Sequence, residues 1–161
     1  MGFRTAFLFF LTVTAGVCGT EDVRCAAPPG NYLSEKLAFW QPRLGLQDWK
    51  ISLVMTPASG LKPKTLGNIR WDTDHKTAII RVLDASDYQL TCSAMLRDME
   101  VTVVHELVHL ELSALPRSPA TRGLEERAVN RITDALLALE SAAPEYKLSS
   151  STEADRLDRP K

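Results

Sequence analysis

The stretch VVHELVHLEL, residues 103–112, limits what this chain can fold into more than any other. Val103, Val104, Leu107, Val108, Leu110 and Leu112 make the segment apolar nearly all round. A helix of that kind is stable only when other elements bury it on most sides, so it is expected at the centre of the molecule. Into this oily helix the chain puts His105, Glu106 and His109, two of its three histidines with a glutamate between them. Burying two imidazoles and a carboxylate costs several kcal/mol unless something pairs with them.

A metal ion is such a partner. His105 and His109 stand at i and i+4, so both project from one face about one turn apart. That spacing lets two ring nitrogens reach one zinc ion at about 2.0–2.1 Å. Glu106, one residue on, reaches water beside the metal and suits a general base. Two satisfied core histidines are the plainer reading, but the H-E-x-x-H arrangement weighs against it. A zinc site of this type needs a third protein ligand. His75 lies in DTDHK, a turn composition expected to face solvent, and Glu111 points away from the pair. The next helix offers two acids. At 100° per residue its apolar stripe is Leu124, Ala128, Val129, Ile132, Ala135, Leu136 and Leu139. Glu125 falls within that stripe and is the first choice; Glu126, at its edge with Asn130 four residues on, is the alternative.

The remaining elements follow from periodicity. Residues 31–44 read as a helix, with Leu33, Leu37 and Trp40 on one face and Pro42 near its end. Residues 49–56, 66–72 and 76–83 read as strands; Ile51, Leu53 and Met55 share one face of the first, and Ala78, Ile80 and Val82 one face of the third. DTDHK joins the last two as an antiparallel hairpin. Helices follow over residues 94–115 and 123–139. The order predicts a small α+β domain: a three-stranded, mostly antiparallel sheet with one N-terminal helix and two C-terminal helices, the first carrying H-E-x-x-H.

Residues 1–19 have a basic start at Arg4, an apolar run from Ala6 to Val17, and then small residues. The run is too short to span a bilayer, for which about 20 residues are needed, and it fits a signal peptide cleaved after Gly19. A lipid anchor on Cys18 is the lesser alternative, because Val17 is a poor residue before an anchored cysteine. The expected domain covers residues 20–142, and the Ser-rich residues 143–161 are expected to be a disordered polar tail. Export, to the periplasm or outside the cell, leaves Cys25 and Cys92 able to form one disulfide, with two free thiols equally consistent. A net charge of −1 and a pI near 6.3 offer no basic surface for nucleic acid. No membrane span is expected after signal cleavage.

HELVH followed by EERAVNRITDALL on a second helix resembles the minimal gluzincin metallopeptidases, and VNRITDALL is similar to a run in the ImmA/IrrE-like group. The resemblance covers residues 95–140. It implies a zincin-like fold with His105 and His109 as zinc ligands, Glu106 as base and a helix-borne Glu as third ligand. These relatives commonly carry Glu where this chain has Ala128, and they usually work in the cytoplasm. They also pair a substrate peptide with the sheet edge before the active helix, for which residues 76–83 are the candidate. Tyr88 and Arg81 are available as oxyanion stabilisers.

The leading expectation is therefore a small exported zinc metallopeptidase acting on a peptide or protein. The alternatives are a non-catalytic zincin-like domain that binds a peptide or partner around a structural zinc, and a metal-free helical core.

Overall fold

The computed structural model describes residue 25 and residues 27–142, except 117 and 119. The signal-peptide reading, Cys18 and the polar tail lie outside these residues. The elements run α1 (Pro29–Arg43), β1 (Lys50–Thr56), β2 (Gly67–Asp72), β3 (Thr77–Leu83), α2 (Cys92–Glu111) and α3 (Arg122–Ala142). This is the expected α+β order.

Each boundary has a local cause. A proline opens α1, where the missing N–H costs nothing. Gly45 closes it at φ +72°, a left-handed turn that glycine takes without strain. At the hairpin, Asp72 Oδ1 accepts from the N–H groups of Asp74 and His75 at 2.9 and 3.2 Å. Helix α2 begins two residues before the expected start, because Thr91 caps it through Oγ1 to Ala94 N at 3.4 Å. It ends at Glu111, and a single 3-10 turn, Leu112–Ala114, finishes the apolar stretch.

The sheet is mixed, with strand order β1-β3-β2. The hairpin of β2 and β3 is antiparallel as expected, but β1 runs parallel to β3. The segment after β1 carries the chain past the place where β3 later inserts, so β3 becomes the centre and β2 an edge. Ala78, Ile80 and Val82 face α2 and are buried, while Ile79 and Val54 lie on the opposite, open face. Met55 shares a face with Val82 across the sheet but is exposed at the margin of the core.

Helix α2 is the axis of the core. Met95, Met99, Val103, Val104, Leu107, Val108 and Leu110 are all buried among α1, the sheet and α3. One polar group joins them. Glu100 accepts from Tyr32 Oη at 2.7 Å and Trp40 Nε1 at 3.0 Å, with Lys36 Nζ at 2.8 Å, so it fastens α1 to the central helix. A buried carboxylate with three donors is satisfied rather than costly.

The buried line of α3 differs from the expected stripe. It runs through Glu125, Val129, Thr133 and Leu136, whereas Leu124 and Leu139 are 60% and 70% exposed and Ile132, Ala128 and Ala135 are exposed too. Among the described residues α3 packs mainly on α2 alone, and one neighbour covers only a narrow line of a helix. Cys25 and Cys92 are disulfide-bonded, with Cα atoms 5.5 Å apart, which ties the segment before α1 to the first residue of α2.

Candidate metal centre

Helices α2 and α3 bring His105, His109 and Glu126 together at the floor of a cleft of about 790 Å³. His105 Nε2 and His109 Nε2 lie 3.1 Å apart. Glu126 Oε2 stands 3.7 Å from the first and 3.5 Å from the second. A tetrahedral ion with bonds of about 2.0–2.1 Å spaces its ligand atoms roughly 3.3 Å apart. The three separations bracket that value, so these donor atoms are spaced to hold a small tetrahedral cation.

The supporting bonds orient the rings. Glu125 Oε1 lies 3.1 Å from His109 Nδ1. An ionised carboxylate can only accept, so Nδ1 carries the proton and Nε2 presents its lone pair into the cluster. The Asn130 side chain lies against His105. Burial and the neighbouring His109 hold the His105 imidazole below its ordinary range, against the pull of Glu126 and Asn130. A neutral ring is the form a metal binds.

The cluster thus takes in Glu126, the alternative of the two acids, while Glu125, the first choice, stands at His109 Nδ1. Because Glu125 lies on the buried line of α3, it is held beneath the His109 ring, on the nitrogen away from the cluster. Glu126, at the edge of that line, has the freedom to reach over both rings. Glu125 is the more buried of the two acids, as the stripe implied, but it is a Glu126 oxygen that joins the two histidine nitrogens.

Glu106 is 7% exposed, and burial first, then the Glu126 carboxylate, push its carboxyl up to about 7. It lines the same cleft, beside but not within the ligand cluster. His75 is fully turned to its own hairpin, with Nδ1 2.8 Å from Asp72 Oδ2. Glu111 is exposed. Tyr88 donates to Asp98 Oδ2 at 2.9 Å, and Arg81 lies on the open face of the sheet; neither lines the cleft.

The strand beside the cleft is β2, not β3. β3 is paired on both sides, whereas β2 is the edge and contributes Gly67, Asn68, Ile69 and Trp71 to the lining. Leu83 N donates to Leu66 O at 2.8 Å, so by alternation Asn68 and Arg70 bond to β3, and the backbone of Gly67 and Ile69 turns outward. Gly67 has no room for a side chain: a Cβ there would stand 2.6 Å from Arg81 O and closer still to Thr102 on α2. The glycine lets the edge strand sit against the helix one turn before His105. A glycine between a loop and a strand signals close approach, but the sequence does not say to what.

In comparisons with known proteins, no family model matches the chain, and no characterised protein or solved structure matches it. Among the described residues, no helix is long and apolar enough to cross a membrane.

Proposed function

We propose that this chain is a zinc-dependent peptidase with His105, His109 and Glu126 as ligands and Glu106 as general base. The observation that carries the reading is the spacing of the three donor atoms, 3.1–3.7 Å, beside Glu106, a buried carboxylate with no ion pair or hydrogen bond among the described residues. The resemblance to the minimal gluzincins agrees with it. Zinc, when bound, supplies a Lewis acid that acidifies water and polarises a carbonyl oxygen.

The chain's own residues supply the rest. Glu125 holds the His109 tautomer, and Asn130 steadies His105. Glu106 takes the proton from water as it attacks the scissile carbon and passes that proton to the leaving amine. The outward backbone of β2 offers N–H and C=O groups with which an extended peptide can pair, giving affinity independent of side chains. Peptide-bond hydrolysis suits this arrangement because it needs one base, one electrophile and an extended substrate. The exported location read from residues 1–19 belongs to the same proposal.

Glu106→Gln is the separating experiment. The peptidase reading expects the variant to keep its zinc and lose peptide hydrolysis by at least about a hundredfold, the size of a lost general base. Equal activity in the two forms, or none in the zinc-loaded wild type, would leave zinc as a structural ion and remove the peptidase reading.

A further inference from the structure

The cleft carries a second chemical signal besides the metal centre. Lys62, Lys64 and Arg122 line it, two on the loop that enters β2 and one on the first turn of α3. Some basic side chains elsewhere have acidic partners: Lys36 meets Glu100 and Glu140, and Lys76 meets Asp48. Among the described residues, the charged groups of Lys62, Lys64 and Arg122 have none.

The loop is built rather than loose. Thr65 donates to Lys62 O through both its N–H and its hydroxyl, at 3.1 and 2.8 Å. Lys64 is held at φ +63°, a left-handed conformation that disfavours any residue with a Cβ. Such strain collects where a side chain must point somewhere in particular.

The charge balance gives the sign of what is wanted. The carboxylates lining the cleft are Glu106, Glu125 and Glu126. A divalent ion offsets two of them, so the three cations leave the loaded cleft two positive charges in excess. The whole chain is at −1, so this excess is local to the cleft.

We infer that the cleft selects peptides bearing a carboxylate, which Lys62, Lys64 and Arg122 receive while the backbone lies along β2. The inference rests on the peptidase reading for the substrate class and adds which peptides are chosen. The carboxylate is either an acidic side chain or the C-terminal α-carboxylate. Leu66, Ile69 and Trp71 line the same wall and supply the apolar contact beside it.

The test uses short peptides of alanine and leucine that differ only in one Glu, Gln or Lys near either end, each with a free or amidated C-terminus. Cleavage by the zinc-loaded full chain and binding to zinc-loaded Glu106→Gln are measured side by side. The Glu peptide is expected to exceed Gln about fivefold to tenfold in both, and Lys by more, with the margin shrinking as salt rises. Lys62→Glu/Lys64→Glu, and separately Arg122→Glu, should erase or invert that order while zinc content stays at the wild-type level. A preference that disappears on amidation assigns the α-carboxylate; one that persists assigns the side chain. Selective binding without cleavage would sink the peptidase reading and leave anion selection standing. Cleavage or binding indifferent to charge, or no binding of any peptide, overturns the inference.

Discussion

Glu125 and Glu126 are neighbours in sequence with different duties at one histidine. Glu126 faces the Nε2 atoms of both histidines and is the proposed third ligand, so Glu126→Ala should abolish stoichiometric zinc binding. Glu125 bonds Nδ1 of His109 at 3.1 Å, so Glu125→Ala should keep the ion and weaken its affinity by about tenfold to a hundredfold. Competition with a chelator of known affinity separates the two; equal losses would contradict the assignment. Glu100 makes a prediction of another kind. Burial alone would raise its carboxyl, but the bonds from Lys36, Trp40 and Tyr32 outweigh burial and hold it below the ordinary value. A carboxyl lowered in the folded state contributes stability above its unfolded value, about 4.3, and that contribution is lost as pH falls through the lower folded value. Glu100→Gln should therefore lower the free energy of urea unfolding at neutral pH, by about 1–3 kcal/mol, and flatten the acid limb of the stability curve below about pH 4. An unchanged acid limb would mean that the three donors do not govern this carboxyl. Nothing in the sequence marked Glu100, because a glutamate on a core face reads only as a break in the pattern. Its partner Trp40 lies 60 residues away along the chain.

At the scale of elements, the periodicities of 3.6 and 2 gave every helix and strand within a few residues, since each element shows one face to a single core. What they could not give was adjacency. Alternation in Ile51, Leu53 and Met55 says which face of β1 turns inward but not whether β1 lies beside β2 or β3, so the parallel pairing went unread. The same limit placed the sheet edge before the active helix on β3, when β2 is the edge strand beside the cleft. In α3, counting every apolar residue as buried turned the stripe toward Leu124 and Leu139, when a single packing neighbour leaves them in solvent. Gly67 is where adjacency and sequence meet. Gly67→Ala drives a methyl into Arg81 O and the Thr102 side chain, and should cost about 1–3 kcal/mol in denaturant unfolding as well as displacing the edge strand from the cleft. Gly45→Ala, strained only in its backbone at φ +72°, should cost about 1 kcal/mol. A smaller loss at Gly67 than at Gly45 would contradict the close packing of β2 on α2.

For the whole molecule, the central helix is both the core and the floor of the cleft, so stability and site are carried by the same residues. Leu107→Ala, between the two histidines, removes side-chain volume from a fully buried position and should cost about 2–5 kcal/mol. The Cys25–Cys92 bond closes a span of 67 residues from the segment before α1 to the start of α2. On the chain-entropy account its removal should lower stability by about 4 kcal/mol, read as a shift in the unfolding midpoint between oxidised and reduced chain; no shift would show that the bond constrains nothing in the unfolded state. The histidine pair of the cluster was legible because i and i+4 histidines fix their own geometry within one helix. The acid that joins them was not, because its place depends on how two helices are rotated against each other. The most direct measurement is therefore zinc content by elemental analysis after reconstitution, for the wild type beside His109→Ala, Glu125→Ala and Glu126→Ala. About one zinc per chain in the wild type and in Glu125→Ala, lost in His109→Ala and Glu126→Ala, is the predicted result. No zinc in the wild type, or zinc retained without Glu126, would contradict the centre described above.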